Sequence, residues 1–323
     1  MSAESRREFL WKASAAGLGM AGLPALLGAA RPGPFAGWQE AGEGLPAMTI
    51  VRLQGGAPAA SEPGAKSVAT RLTEKALEAL GGMKRFVKKG DVVWVKPNIG
   101  WNRTPELAGN THPDVVATLV RLCLDAGAKK VKVGDNPCND AKQSYTNSGI
   151  AEATRAAGGE VVYLERSRFK KMTIGGNRLK EHPVYPEIIE CDLVISVPVC
   201  KHHSATTATL CMKNYMGVVD NRSAFHQDLP TAIADITQFM KPRLSVLDAT
   251  RILTAHGPTG GDIKDVKVLN TIAAGTDIVA LDAFGCELLG HKPESIGTVT
   301  AGAKYGLGKL DYRSLALKEL QLA

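Results

Sequence analysis

Residues 91–137 read "DVVWVKPNIGWNRTPELAGNTHPDVVATLVRLCLDAGAKKVKVGDNP". The first ten residues are an almost continuous apolar, β-branched run stopped by Pro97, the pattern of a strand buried on both faces. Pro113 in a first turn with Asp114 beside it opens a helix whose apolar residues recur at helical spacing, and Gly127 closes it. "KKVKVGDNP" (129–137) is a second strand. Strand, helix and strand make a βαβ unit, whose crossover helix returns the chain so that the two strands run parallel.

The same alternation extends in both directions. Strands are expected at 48–53, 160–165, 191–199 and 243–250, and helices at 67–82, 148–159, 229–241, 277–290 and 294–306. The expected fold class is α/β: a mainly parallel, doubly wound sheet with helices on both faces and room for two lobes around a cleft. A chain of 323 residues and 34.2 kDa with 44% hydrophobic and 22% charged residues is long enough for a sizeable core. No repeat of solenoid length is present. The net charge is +7, yet Lys and Arg are scattered and aromatic residues make up only 5%. Nucleic-acid binding needs clustered cations with aromatic platforms, so that class is set aside. Positive charge gathered in a cleft still favours an anionic ligand.

The N-terminus has its own pattern. Arg6-Arg7 followed by Phe9-Leu10, then a weakly apolar, Ala- and Gly-rich segment over 13–30 ending in Gly28-Ala29-Ala30, resembles a twin-arginine export signal. Pro24 and the glycines argue against a membrane-spanning helix. The expected organisation is a signal peptide at 1–30, a Pro/Gly/Ala-rich linker at 31–46 and one α/β domain over 47–323. The resemblance implies the twin-arginine translocation machinery as a partner, a periplasmic or other extracytoplasmic location and no stable membrane anchor after cleavage. That route carries folded proteins, often with a cofactor already inserted.

Ligands of parallel sheets bind beyond the carboxyl ends of the strands. Lys96 and Asn98 end one strand here, Asp135 and Asn136 another, Lys201, His202 and His203 a third, and Asp248 and Arg251 a fourth. Around the third lies "PVCKHHSATTATLCMKNYMGVVDNRSAFH" (198–226). Thr206, Thr207 or Thr209 is placed to cap a helix carrying Lys213, and a helix N-terminus with lysines nearby suits a phosphate or carboxylate. The candidate catalytic residues are His203, Lys213 and Asp248. The candidate ligand-binding residues are Lys96, Asn98, Asp135, Lys201 and Asn214. His226, Cys200 and Cys211 are candidate metal ligands, although their spacing fits no standard motif. Of the other cysteines, Cys123 and Cys286 fall on apolar helical faces and are expected in the core. Asp277 is expected to cap a helix, and Asp282 to lie inside it facing the cleft. His112 is expected at a helix entry, and His182 and His291 at the surface. "TAHGPTGGD" (254–262) fits neither a dinucleotide-binding nor a P-loop pattern and reads as a binding loop or a surface turn.

Three functions suit these residues. One is an exported enzyme or cofactor protein holding an anionic small molecule in a Lys/His/Asp-lined cleft. Another is an iron–sulfur or redox protein using Cys138, Cys200 and Cys211. The third is a non-catalytic periplasmic ligand-binding protein. A metal ion or an iron–sulfur cluster is compatible with the residue types, and neither is specified by them.

"SVPVCKHHSATTATLCMKNYMGVV", "LSVLDATRILTAHGPTGG" and "DIVALDAFG", together with the stretch from "VKPNIG" to "VGDNP", resemble the domain-of-unknown-function family 362 from about residue 48 to 320. Members of that family often carry twin-arginine signals and some carry ferredoxin modules; this chain has the signal pattern without the module. A more distant similarity is to lactate racemases of the nickel-pincer type. By order along the chain it implies Lys213 as the lysine bearing the pincer nucleotide, His226 as a nickel ligand and His203 as a proton carrier. The glycine-rich context of the racemase lysine is absent from "TLCMKNYMG".

Overall fold

The computed structural model describes residues 44–54 and 65–323. The expected signal peptide and nearly all of the expected linker lie outside the described residues. Val92–Pro97 (β2), Pro113–Asp125 (α2) and Lys130–Val133 (β3) form the βαβ unit, with Val93 opposite Val131 and Val95 opposite Val133 in a parallel ladder. The remaining strands of the large sheet are Met48–Leu53 (β1), Glu160–Val161 (β4), Leu193–Val197 (β7), Val199–His203 (β8), Thr207–Thr209 (β9), Leu244–Leu253 (β10), Val266–Gly275 (β11) and Leu317–Leu322 (β12). Lys170–Thr173 (β5) and Glu181–Val184 (β6) form a separate antiparallel hairpin.

The strand order is β12-β1-β11-β10-β7-β2-β3-β4, with β8 on β10 and β9 on β8. From β10 to β4 every neighbour is parallel. The sheet is thus mainly parallel, with antiparallel pairing in two places: β11 runs against both β10 and β1, and β9 runs against β8. The β11 segment "VKVLNTIAAG" interrupts its apolar residues with Lys267 and Asn270 in a half-exposed first half and is mostly small residues in its second, so neither half carries the continuous apolar run that marks a fully buried strand.

Two cores, one on each face, hold the sheet. Val68–Ala79 (α1), α2 and Ile150–Ala156 (α4) cover one face through Leu72, Leu77, Val116, Leu119 and Ile150. Leu229–Met240 (α7), Ile278–Leu288 (α8) and Gly297–Lys304 (α9) cover the other through Ile233, Ile236, Leu281, Phe284 and Val299. The short helices Ala141–Asn147 (α3), Pro186–Ile189 (α5) and Cys211–Asn214 (α6) complete the fold. Cys123 and Cys286 are fully buried, one in each core. The side chain of His112 accepts from Asp114 N at the start of α2, and Asp277 accepts from Ala280 N at the start of α8, so both helix-entry expectations hold. Among the described residues no helix is long and apolar enough to cross a membrane.

Candidate functional site

The carboxyl ends of β2 and β3 meet in a buried ion pair. Lys96 is 0% exposed, and its Nζ lies 2.7 Å from Asp135 Oδ1. The same ammonium donates to Asn214 Oδ1 at 2.7 Å and to Pro97 O at 2.9 Å, so its hydrogen-bonding capacity is filled. Asp135 also accepts from Ile99 N at 2.7 Å and Asn136 N at 2.9 Å. Asn214 ties α6 to β2 and β7 by donating to Lys96 O and Ser196 Oγ. Gly217 passes directly over the pair: a Cβ there would lie 1.7 Å from Asp135 Oδ1. Lys96 and Asn214, expected as ligand contacts, are therefore the floor beneath the site. Asp135 stands at the boundary and lines the cleft above.

The β8–β9 hairpin forms one wall. Lys201 stands opposite Thr209 and His203 opposite Thr207, and directly opposed residues of an antiparallel ladder share a face. Lys201 and Thr209 are both buried where they line the cleft. Lys201 Nζ donates to Gly109 O at 2.7 Å and Pro258 O at 3.1 Å. Thr209 Oγ1 and Asn98 Oδ1, also in the lining, are buried without a hydrogen-bond partner. Thr206, Thr207 and Thr209 cap no helix. Thr207–Thr209 is a strand, and Leu210, with no side-chain cap, precedes the four-residue α6. The expected anion site at that helix start is also filled from within. Asp282 of α8 accepts from Cys211 N at 2.6 Å and Met212 N at 3.1 Å, and burial raises its pKa to about 7. Asp282 thus braces α6 from the core and does not face the cleft.

Between these parts lies a cleft of about 640 Å³. Lys213 enters it with no hydrogen bond or ion pair at Nζ among the described residues. Burial, opposed by neighbouring Cys138 and reinforced by Arg222 and Lys96, lowers it to about 8. Burial and then Lys213 bring Lys201 to about 7. Burial and the two lysines push His203 down to about 3, so its ring is neutral near physiological pH. Its Nδ1 accepts from Ala205 N at 3.1 Å, which leaves the ring proton on Nε2. Arg222 donates to Cys138 Sγ at 3.0 Å and to Asn136 O. Two lining acids are already paired: Asp135 with Lys96 and Asp220 with Arg166. Lys201, Lys213 and Arg222 are left uncompensated in one concavity.

Several expected site residues lie elsewhere. Asp248 sits inside β10, not at its end, because that strand runs on to Leu253. Its carboxylate accepts from His112 N at 2.7 Å, Thr250 N at 2.9 Å and Thr250 Oγ1 at 2.7 Å, joining β10 to the entry of α2. It braces these elements and does not line the cleft. Asp248→Ala is expected to cost about 1–3 kcal/mol in chemical denaturation, because it orphans a buried backbone donor. It should leave anion affinity, read by calorimetry, within about twofold. Cys200 and Cys211 are 0% exposed in the core, and burial lifts both thiols well above their ordinary range. Adjacent strand residues point to opposite faces, so Cys200 reaches Gly285 O while Lys201 reaches the cleft side. Cys138 and His226 line the cleft and do not converge with those two thiols. Among the described residues no group of three or more His, Cys, Asp and Glu is arranged to hold a metal. His182, expected at the surface, is 3% exposed and bonds Asp220 O at 2.8 Å.

Arg222 and Gly217 belong to the site and were not singled out in the sequence, and Thr209 was read there only as a helix cap. Arg222 lies within the run read for its histidines, and Gly217 within "YMGVV". The glycine-rich segment 254–262 does take part, through the Pro258 carbonyl. His203, Lys213 and His226, grouped by the racemase similarity, line the same cleft.

Comparison with known proteins agrees with this architecture. A family model described as "Domain of unknown function (DUF362)" matches residues 93–287, from β2 through most of α8. The chain is 31% identical over 241 residues to the thylakoid-associated protein sll1697 of Synechocystis sp. (strain ATCC 27184 / PCC 6803 / Kazusa), covering 72% of this chain and 73% of the relative. The matched segment holds the buried Lys96–Asp135 pair, the β8–β9 wall, Lys213 and Arg222, and the chain belongs to the domain of unknown function 362 family.

Proposed function

We propose that the cleft binds a small molecule bearing a carboxylate or phosphate, and that the protein is an enzyme acting on it. The observation that carries this reading is the uncompensated trio of Lys201, Lys213 and Arg222 in one partly enclosed concavity. A cavity of this size suits a metabolite better than a polymer. Catalysis is favoured over passive binding by Lys213. A purely electrostatic anchor is best served by a cation tied in place and fully charged. Lys213 is untied and titrates near neutrality, as acid–base and nucleophilic lysines do. The test is thermal melting with oxalate against its neutral isostere oxamide. Oxalate is expected to raise the melting temperature saturably and oxamide not at all. An equal response to both would remove the anion reading.

The site of action is proposed to be extracytoplasmic. The Arg6-Arg7 pattern supports this, and a relative with the name thylakoid-associated protein is compatible with it. Replacing Arg6 and Arg7 together by lysine is expected to abolish export, with full-length precursor accumulating in the cytoplasm on fractionation. Undiminished export of the double variant would contradict the twin-arginine route.

A further inference from the structure

We propose that Lys213 forms a reversible imine with the carbonyl carbon of a small 2-oxo carboxylate bound in the cleft. This rests on the anion-binding reading above and names its substrate class. Three lysines surround the site, and two are consumed by structure. Lys96 Nζ meets Asp135, Asn214 and Pro97 O; Lys201 Nζ meets Gly109 O and Pro258 O. Lys213 Nζ alone has no bonded partner among the described residues, and it lines the cleft where a ligand is admitted.

The surroundings suit an amine nucleophile rather than a counter-ion. Lys213 has Lys96 and Arg222 as cationic neighbours, and Lys201 is close enough to feel its charge. Crowded cations and burial disfavour the ammonium, so about a tenth of the amine is free base near pH 7. The same cations favour a carboxylate on the substrate. Arg222 is a forked donor suited to it. Thr209 Oγ1 and Asn98 Oδ1 are buried polar atoms without partners in the same lining. They suit the carbonyl oxygen and the hydroxyl that it becomes. Neutral His203, with its proton on Nε2, is a donor that adds no charge.

The step balances without any further reactant. The Nζ lone pair adds to the carbonyl carbon while the C=O π pair moves to oxygen. A proton passes from nitrogen to that oxygen, giving a carbinolamine. The second nitrogen proton then passes to the hydroxyl as the C–O bond cleaves, which releases one water and leaves a neutral C=Nζ imine on Lys213. No oxidation state changes in the protein, and hydrolysis returns both partners. The resulting imine stands beside a carboxylate, an arrangement that acidifies the neighbouring carbon.

The experiment is reductive trapping of the full chain with glyoxylate or pyruvate and borohydride, followed by peptide mapping. Hydride added to the imine carbon leaves a stable secondary amine of defined mass. Lys213 is expected to be labelled at least tenfold more than any exposed lysine. Acetaldehyde, which lacks the carboxylate, is expected to label it at least tenfold less than glyoxylate. Lys213→Arg is expected to lose the adduct while keeping the wild-type circular-dichroism spectrum and a cooperative melt, which shows that it folds. Labelling of Lys213 no greater than that of surface lysines, with oxalate still stabilising the protein, overturns the imine and leaves the anion site standing. Absence of both responses overturns the anion reading with it.

Discussion

An Asp135→Ala variant is expected to lose about 3–5 kcal/mol of folding stability, the cost of leaving a buried charge without its partner. Lys96 is 0% and Asp135 2% exposed, so water cannot replace the missing carboxylate at an ammonium that is 2.7 Å away in the intact protein. The variant also orphans the buried Ile99 N just beyond β2, while Asn136 N keeps its bond to Gly217 O. Lys96→Met is expected to fall in the same range, for the mirror reason. Combining Lys96→Met with Asp135→Asn should cost much less than the two single losses together, because no unpaired charge remains. Gly217→Ala disturbs the same pair without replacing either member, since its new Cβ would fall within 2 Å of Asp135 Oδ1 and at 2.6 Å from Lys96 Nζ. Thermal melting is expected to drop by on the order of 10 °C in each single variant. A loss below about 1 kcal/mol for Asp135→Ala would mean that the pair is hydrated, and the floor assigned to the cleft would be wrong.

The second large effect is on ligand binding. Lys213→Met is expected to weaken oxalate about 10- to 100-fold by calorimetry, the loss of one charged hydrogen bond in a water-poor site. Its stability should hold or rise, because the wild-type amine is lowered by burial from its ordinary 10.5 to about 8. Between those two values the unfolded chain binds more protons than the folded one, so stability rises with pH across that window. Below about pH 8 the charged, half-buried Lys213 is a standing cost that a bound anion relieves. Oxalate keeps a constant charge over this range, so the protein's own groups set the pH dependence. Affinity is expected to be greatest below about pH 7 and to fall as Lys201, at about 7, and then Lys213, at about 8, lose their protons. His203, at about 3, takes no part in that change. Affinity independent of pH from 6 to 9 would show that neither lysine holds the anion.

The parallel part of the fold was legible because burial on both faces leaves a one-dimensional mark. The runs ending at Pro97 and Val197 are apolar at nearly every position, and the helix that follows the first carries Pro and Asp at one end and Gly at the other. β11 left no such mark, for its outer half is exposed and its inner half is Ala and Gly. The threonines at 206–209 were ambiguous for a physical reason: a β-branched hydroxyl residue serves equally as a helix cap and in a hairpin strand. Here the pairing of Lys201 with Thr209 decides for the strand.

The site was legible as a region and not as a depth. Lys96, Asn214 and Asp248 carry the same chemical groups as Lys213 and Asn98, and a sequence does not tell which of them are spent on neighbours. The hydrogen-bond partners do: Lys96 and Asp248 each have three, and Lys213 has none among the described residues. Cys200 and Cys211 misled through the same blindness. Both flank charged residues along the chain, yet strand alternation turns Cys200 into the core beside α8, and Cys211 begins a buried helix. Arg222 escaped notice because it falls in a short 3-10 segment, Arg222–Gln227, that no periodic pattern announces.

The most direct measurement is a crystal structure of the protein soaked in selenate or oxalate, with selenate located by its anomalous signal. The account predicts an anion in the cleft within hydrogen-bond distance of Lys213 Nζ, with Arg222 or Lys201 as a second cationic contact. An ordered anion elsewhere on the surface, with only water at Lys213, would contradict it.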